Sequence, residues 1–334
     1  MEGLNEVVRR ARPATPVISL VVPVFNEAAS LPAFMAAVEA RIRVPEARLE
    51  YIFVNDGSRD ATFALLLELA QARNDVTVVN FSRNFGKEAA MTAGLDFAHG
   101  DAVVLMDVDL QDPPELVAAF VEKWREGYDI AYGLRQSRAS DTLLKRMTAG
   151  AFYAWFNRIS DTPIPANVGV VRLLDRRVVA ALRQLPERGR FMKGLFAWVG
   201  FPSAAVPFER VAREHGKSTW NYWKLWNFAL EGMVSFSTAP LKIWSYLGLV
   251  LALAAVLYAV FILIKVFLVG IDVPGYASLI VVMLMGTALN LISLGMIGEY
   301  VGRLFVETKQ RPVYIVEGVY NHDGRAETHG ASEG

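Results

Sequence analysis

The chain contains no cysteine. That excludes a disulfide framework and thiol chemistry, and it fits a reducing compartment. It also lacks an excess of either charge: Lys+Arg 34 balance Asp+Glu 34, a formal net charge of +0. Without a basic surplus, nucleic acid is not an expected partner. Residues 1–16 are charged and Arg-rich with no apolar core. No secretory signal peptide is expected there, and the N-terminal part is expected to stay in the cytoplasm. What the chain has in quantity is apolar surface. Of its 334 residues, 53% are hydrophobic, and its mean hydropathy is positive. The length predicts about two domains.

The apolar run 103–106 leads straight into Asp107 and Asp109, two carboxylates spaced i, i+2. The run reads as a buried parallel strand. The two acids then sit where an open α/β sheet binds its ligands, beyond the carboxyl end of a strand. Carboxylates this close repel unless a cation holds them. A hard divalent ion, Mg²⁺ or Mn²⁺, with phosphate as a further ligand, suits such a pair. The plainer alternative is a solvated acidic turn before a helix, with Asp112 as N-cap and Pro113-Pro114 in the first turn.

Other strand ends carry the same kind of residue. Strands are predicted at 17–22, 51–54, 76–79 and 129–133, and helices at 31–42 and 60–70, with 82–88 opening a third that runs to about 98. Ser30 is a candidate cap for the first helix. Strand, loop and helix alternate, which predicts a parallel α/β sheet. Glu27, Asp56, Lys87, Asp107 and Asp109 would converge on one sheet edge. Each alone is ordinary turn chemistry. Together they suit a nucleotide: an acid accepts from a base N–H, while backbone amides and a cation hold a diphosphate.

The motifs Val22-Pro23-Val24-Phe25-Asn26-Glu27, Asn55-Asp56-Gly57-Ser58, Ser82-Arg83-Asn84-Phe85-Gly86-Lys87 and Asp107-Val108-Asp109-Leu110-Gln111-Asp112-Pro113-Pro114 carry a resemblance. The chain resembles the family 2 glycosyltransferases of the GT-A fold. More narrowly, it is similar to the polyprenyl-phosphate glycosyltransferases, the group of bactoprenol glucosyltransferase and dolichol-phosphate mannose synthase. The resemblance spans about residues 17–318. It implies inverting transfer of a hexose to undecaprenyl or another polyprenyl phosphate, with UDP-glucose as the leading nucleoside diphosphate sugar. Mannose, galactose and amino-sugar donors are the alternatives. It implies metal, Mg²⁺ or Mn²⁺, at Asp107, Asp109 and Gln111. The donor is expected at Pro23, Phe25, Glu27, Asp56, Lys87, Asp107 and Lys217. Arg135 and Arg146 are expected at the acceptor phosphate, completing a catalytic set with Asp107 and Asp109. Arg presents a planar fork to phosphate, so the assignment is chemically sensible. A homo-oligomer, a tetramer by resemblance, is also implied.

Two positions depart from the family. Asn55 stands where Asp is common, which leaves Asp56 as the acid expected to read the base. Val170 stands where the family usually has the Asp of Gly-Asp-Phe-Arg-Leu, often proposed as catalytic base. Either activity is impaired, leaving a membrane scaffold, or no base is needed. A phosphate monoester has a second pKa near 6 and is largely dianionic at neutral pH without help. The segment 188–201 mixes cations with large apolar side chains. It reads as a membrane-surface element or as an ordinary amphipathic core helix.

Two further stretches, 246–268 and 277–297, are apolar and long enough to span a bilayer. Helices apolar all round at this length are rarely soluble. Lys242 precedes the first, and Arg303, Lys309 and Arg311 follow the second, while the connecting turn carries only Asp272. The positive-inside rule then places both ends in the cytoplasm, and the resemblance implies a bacterial inner membrane. Lys265 would snorkel outward, and Asn290 would meet the other helix or a partner subunit. Trp and Tyr in 221–234 suggest an interfacial helix. The predicted organisation is a tail at 1–16, a GT-A domain at 17–220, interfacial helices at 221–243, a two-helix transmembrane hairpin at 244–302, and a β segment and tail at 303–334. A processive synthase would carry more spans and a Gln-x-x-Arg-Trp motif; neither is present in the sequence.

Overall fold

The structure is a computed structural model, and it describes residues 12–136, 168–209, 239–269 and 275–324. Arg146, Lys217, Asp272 and the Trp-rich segment 221–234 lie outside the described residues.

Four parallel strands form the centre: β1 (Val17–Val24), β2 (Arg48–Asn55), β3 (Val76–Phe81) and β4 (Ala102–Leu105). They are joined by α1 (Leu31–Arg41), α2 (Thr62–Ala72) and α3 (Lys87–Phe97), and α4 (Leu116–Arg125) follows β4. The strands read as continuous apolar runs because both faces are covered. Ile18, Leu20 and Val22 join a core with Phe34, Leu66, Phe120 and Trp124, while Val21 joins Ala90, Ala93 and Leu105 on the other face. The alanine-rich α3 lies very close to the sheet. A Cβ on Gly94 would stand 2.1 Å from Val21 Cγ1.

The sheet has eight strands in the order β7-β5-β6-β4-β1-β2-β3-β8. The additional strands are β5 (Ile130–Arg135), β6 (Val168–Asp175), β7 (Ser203–Phe208) and β8 (Val316–Tyr320). Strand–helix alternation and the family resemblance together predict a mostly parallel sheet of Rossmann-like, GT-A type, and that is the sheet found. Within it β6 runs antiparallel to both β4 and β5, and β8 antiparallel to β3. Direction here is set by where the chain re-enters the sheet, which no local pattern records. The strand order turns back at β1, between β2 and β4. The crevice beyond the ends of β1 and β4 is therefore the topological switch point where such sheets take ligands.

Two segments add detail to the predicted organisation. In the first, Arg12 is anchored while Pro13, Ala14 and Thr15 are exposed. The Arg12 side chain is 9% exposed and pairs with Asp129 at 2.9 Å and with Asp175. Its guanidinium lies 4.8 Å over the Trp124 ring, whose Nε1 donates to Asp175 Oδ2 at 2.8 Å. The segment 188–201 contains α6 (Met192–Trp198), which follows α5 (Arg176–Arg183). Met192, Leu195 and Phe196 are buried in the core shared with α3 and α5. The amphipathic-core alternative is the one realised. Arg190 donates to the carbonyls of Leu182 and Leu185, closing the end of α5.

Helix capping differs as well. Ser30 occupies the N-cap position of α1, but its hydroxyl donates to Glu27 Oε2 at 2.7 Å rather than accepting from the helix. Glu115, not Asp112, stands before α4, and Asp112 is buried.

Two long helices follow, α7 (Ala239–Val269) of 31 residues and α8 (Tyr276–Thr308) of 33. At 1.5 Å per residue each exceeds about 45 Å. They touch one another and expose large apolar side chains, Phe267 to 91%. Among the described residues one stretch, Met285–Thr308, is long and apolar enough to cross a membrane by length and composition. Asn290 and Lys265 are exposed. Beyond α8 the chain returns to the sheet. Tyr314 stacks on Phe81 at 5.1 Å and donates to Asp96 Oδ2 at 2.7 Å before β8 pairs with β3.

Candidate active site

The loops after β1, β2 and β3 are laced together by their own polar residues. Asn26 N–H donates to Ser58 Oγ at 2.9 Å, and Arg59 N–H donates back to Asn26 Oδ1 at 2.8 Å. Asn26 sits at φ 55, a left-handed conformation that Asn tolerates better than most residues. Glu27 N–H donates to Thr62 Oγ1 at 2.8 Å. Gly57, at φ +66, touches the next loop so closely that a Cβ would stand 2.5 Å from the Arg83 carbonyl carbon.

Asp56 fastens that contact. Its Oδ1 accepts Phe85 N–H at 2.6 Å and its Oδ2 accepts Gly86 N–H at 3.0 Å. Burial raises its carboxyl above the usual range, and the two backbone donors offset part of that rise. The acid expected to read a base is thus engaged in positioning the turn that opens α3. Asn55, the departure from the family pattern, donates to Asn80 Oδ1 at 2.6 Å, and Asn80 donates to Glu317 on β8 at 2.8 Å. Pro23 lies within β1, and Phe25 beyond its end is exposed.

Asp107 and Asp109 follow β4 directly, in a turn where Leu110 takes φ 53. Asp109 Oδ1 accepts Gln111 N–H at 3.2 Å, and Gln111 is buried. Lys87, at the start of α3, places Nζ 2.5 Å from Asp107 Oδ1. A cation therefore already sits on one of the paired carboxylates. Among the described residues there is no cluster of three or more His, Cys, Asp or Glu able to hold a metal. The donor set is two carboxylates and an amide. That fits Mg²⁺ or Mn²⁺, which is commonly held by one or two carboxylates with water and substrate phosphate completing the shell.

Across β4 from these loops stands a cationic wall. Arg135, at the end of β5, has Nη2 4.0 Å from Asp112 Oδ1. Arg172, on β6, pairs in register with Leu105, the last residue of β4. It is buried, donates to the carbonyls of Gly169 (2.8 Å) and Val170 (3.1 Å), and lies 3.9 Å over the Phe196 ring. Burial pulls it down to about 9. Lys193, in the first turn of α6, is pushed down to about 8 by burial first and then by Arg172 and Arg135. Glu88 holds this turn in place, its Oε2 accepting Met192 N–H at 3.1 Å. Val170 packs against the second core.

The structure therefore brings Glu27, Asp56, Lys87, Asp107, Asp109, Gln111 and Arg135 to one sheet edge. Sequence reasoning passed over Arg172, Lys193 and Glu88. Arg172 lies two residues beyond Val170, in a motif whose pattern points to Val170 instead. The spacing of Lys193 and Phe196, i and i+3 on a short helix, was the available signal for the other.

Residues 19–183 match the profile of Glycosyl transferase family 2. An uncharacterized glycosyltransferase of Synechocystis sp. is 50% identical over 303 residues, covering 91% of this chain and 95% of the relative. A prophage bactoprenol glucosyl transferase homolog of Escherichia coli is 46% identical over 302 residues, with 90% and 99% covered. The bactoprenol glucosyl transferase of Shigella phage SfV is 46% identical over 300 residues, with 90% and 98% covered. Among solved structures, a mannosyltransferase of Pyrobaculum calidifontis aligns with TM-score 0.48 and 18% identity over 89% of this chain and 85% of that one.

Proposed function

The chain belongs to glycosyl transferase family 2 and is a glycosyltransferase, and from that premise we propose that it transfers a hexose from a nucleoside diphosphate sugar to a polyprenyl phosphate at a membrane face. The observation that carries this reading is the crevice beyond β4, with Asp107 and Asp109 on one side and Arg135, Arg172 and Lys193 on the other. Laced loops from β1, β2 and β3 supply a rigid floor for the donor. The acceptor class is supported by relatives named bactoprenol glucosyl transferases that align over nine-tenths of this chain. UDP-glucose is the favoured donor and undecaprenyl phosphate the favoured acceptor.

The acceptor oxygen attacks the anomeric carbon as the bond to the diphosphate breaks, in one displacement with inversion. Asp107, Asp109 and Gln111 would hold Mg²⁺ or Mn²⁺, which when bound neutralises the leaving diphosphate. Lys87 is placed to add positive charge there once Asp107 engages the metal. Arg135 orients the acceptor phosphate; Arg146 and Lys217 retain the assignments that the family resemblance gives them. The helices α7 and α8 form a membrane hairpin with both chain ends cytoplasmic, which puts the crevice near the plane of the lipid headgroup. The tetrameric homo-oligomer stays part of this reading.

The test is direct. Full-length protein purified in detergent is incubated with undecaprenyl phosphate, Mg²⁺ or Mn²⁺, and a panel of labelled nucleotide sugars. A lipid-linked hexose formed from UDP-glucose is expected. Product from another donor alone would reassign the sugar, and absence of product with every donor would overturn the reading.

A further inference from the structure

We infer that Lys193 and Arg172 form the seat of the acceptor's phosphate monoester, with Lys193 as its unclaimed cation. The inference rests on the acceptor class proposed above. Among the described residues four cations approach the crevice, and they differ in what already neutralises them. Lys87 has Asp107 at 2.5 Å and Arg135 has Asp112 at 4.0 Å. The hydrogen bonds of Arg172 go to carbonyl oxygens, and among the described residues Lys193 makes no hydrogen bond or ion pair. Glu88 is the acid beside them, and one of its oxygens is spent on Met192 N–H.

The placement is set by backbone and packing. Lys193 and Phe196 share one face of α6, and Arg172 stacks on Phe196 at 3.9 Å, so the two cations are neighbours. Arg172 and Arg135 meet at Gly169. Arg172 donates to its carbonyl at 2.8 Å, and a Cβ on Gly169 would stand 3.3 Å from Arg135 Nη2. Any larger residue there would crowd Arg135. The register Leu105↔Arg172 sets this group opposite the end of β4, on the flank away from β1. The donor loops occupy the other flank.

Keeping a buried Arg172 charged beside a half-buried Lys193, with Glu88 as the acid beside them, is costly. A dianion between them reverses that cost, because charge-assisted hydrogen bonds strengthen where water is excluded. A phosphate monoester near neutral pH carries such a charge. The donor diphosphate has Lys87 and the paired carboxylates on its own flank, which leaves the monoester for Arg172 and Lys193.

The test uses the full chain in detergent and farnesyl phosphate as a short-chain probe, with farnesol and UDP plus Mn²⁺ as comparison ligands. Lys193→Met is expected to weaken farnesyl phosphate binding about 10- to 100-fold, the range of one hydrogen bond to a charged group. Lys193→Arg should recover most of it. Binding of farnesol, and of UDP with Mn²⁺, should be unchanged, which also reports that the variant is folded. Unchanged farnesyl phosphate binding in Lys193→Met would overturn the seat. Loss of UDP affinity instead would assign the cation to the donor and overturn it equally. Native protein that binds no farnesyl phosphate and transfers no sugar to any lipid phosphate would sink the acceptor class itself, an outcome read without any variant.

Discussion

The two flanks of β4 are built by different means. On the β1–β2–β3 flank each loop is held by residues of its own motif: Asn26 by Ser58 and Arg59, Phe85 and Gly86 by Asp56. These partners lie one strand–helix unit apart in a parallel sheet. On the β6–β5–β7 flank the strands reverse direction and the supporting residues come from far along the chain. Arg12 pairs with Asp129 and Asp175, Arg172 stacks on Phe196, and Glu307 of α8 accepts the backbone N–H groups of Arg188 and Gly189. On the proposed reading the first flank is a locally encoded floor for a nucleotide. The second, an assembly of distant pieces, would face the acceptor, and it holds Val170, where the family resemblance leads one to expect Asp.

The largest effect is expected where the flanks meet. Asp109→Ala should lower turnover by about 10³-fold or more, because the paired carboxylates lose the ability to anchor a hard cation against the diphosphate. Excess chelator should do the same to the native protein, and Mg²⁺ or Mn²⁺ should restore it. Nucleotide sugar turnover that persists in chelator would place catalysis elsewhere than on this pair.

Next comes the buried network behind the second flank. Arg12→Ala removes a guanidinium shared by two carboxylates that are 7% and 5% exposed. Breaking a buried pair from one side costs about 3–5 kcal/mol. Arg177 still reaches both acids here, so a loss of about 3 kcal/mol at the low end is expected. A lower thermal midpoint of the purified protein, with turnover preserved at low temperature, would bear this out. An unchanged midpoint would mean that Arg177 alone suffices.

That contrast explains what the sequence made legible. Strands such as 103–106 are short apolar runs with polar loop residues at their ends, so the parallel half and its convergent edge follow from local pattern. The same pattern is silent about β6, whose partners lie across an intervening segment and whose one cation, Arg172, looks like any strand-borne Arg. It also leaves open which of two roles Asp56 plays. A carboxylate that accepts from backbone N–H groups of the next loop and one that awaits a base share the same residue type at the same strand end. Lys193 was legible only as a surface cation, because the stacking of Arg172 on Phe196 that buries its surroundings is a tertiary fact.

A smaller effect tests the link between the long helices and the second flank. Glu307 Oε1 and Oε2 each accept Arg188 N–H at 3.0 Å, and Oε1 also accepts Gly189 N–H at 3.0 Å. Glu307→Gln keeps one acceptor and turns an amide N–H₂ toward backbone donors. Hydrogen bonds to a charged group are worth about 1.5–3 kcal/mol, and part of this should be lost. Faster amide exchange across residues 186–191 is expected, with a few-fold rise in acceptor KM and kcat nearly unchanged. A fall in kcat with acceptor KM constant would show instead that this turn serves the chemical step.

The smallest effect is expected at the position where the family's acid is missing. Val170 packs against the second core, and its carbonyl accepts Arg172 Nε at 3.1 Å. Val170→Asp would set a carboxylate in a neighbourhood that already holds Arg135 and Arg172. General-base help is worth about 10²–10⁴-fold where a hydroxyl must lose its proton in the transition state. A phosphate monoester attacks with an oxygen that is already ionised, so that gain has no step to act on. A new carboxylate would instead pair with Arg172 or Arg135, compete with the acceptor for them, and raise acceptor KM. Turnover of the two proteins should therefore agree within about twofold, the rise in KM being the larger part of the difference. The acidic limb of the native rate should follow the acceptor's second ionisation, near pH 6, and not a carboxyl group near 4. The comparison is made with matched undecaprenyl phosphate and donor across pH 4.5–8. If native protein shows no turnover and Val170→Asp creates it, attack without a protein base is wrong, and the native chain is a disabled transferase whose cationic flank only binds.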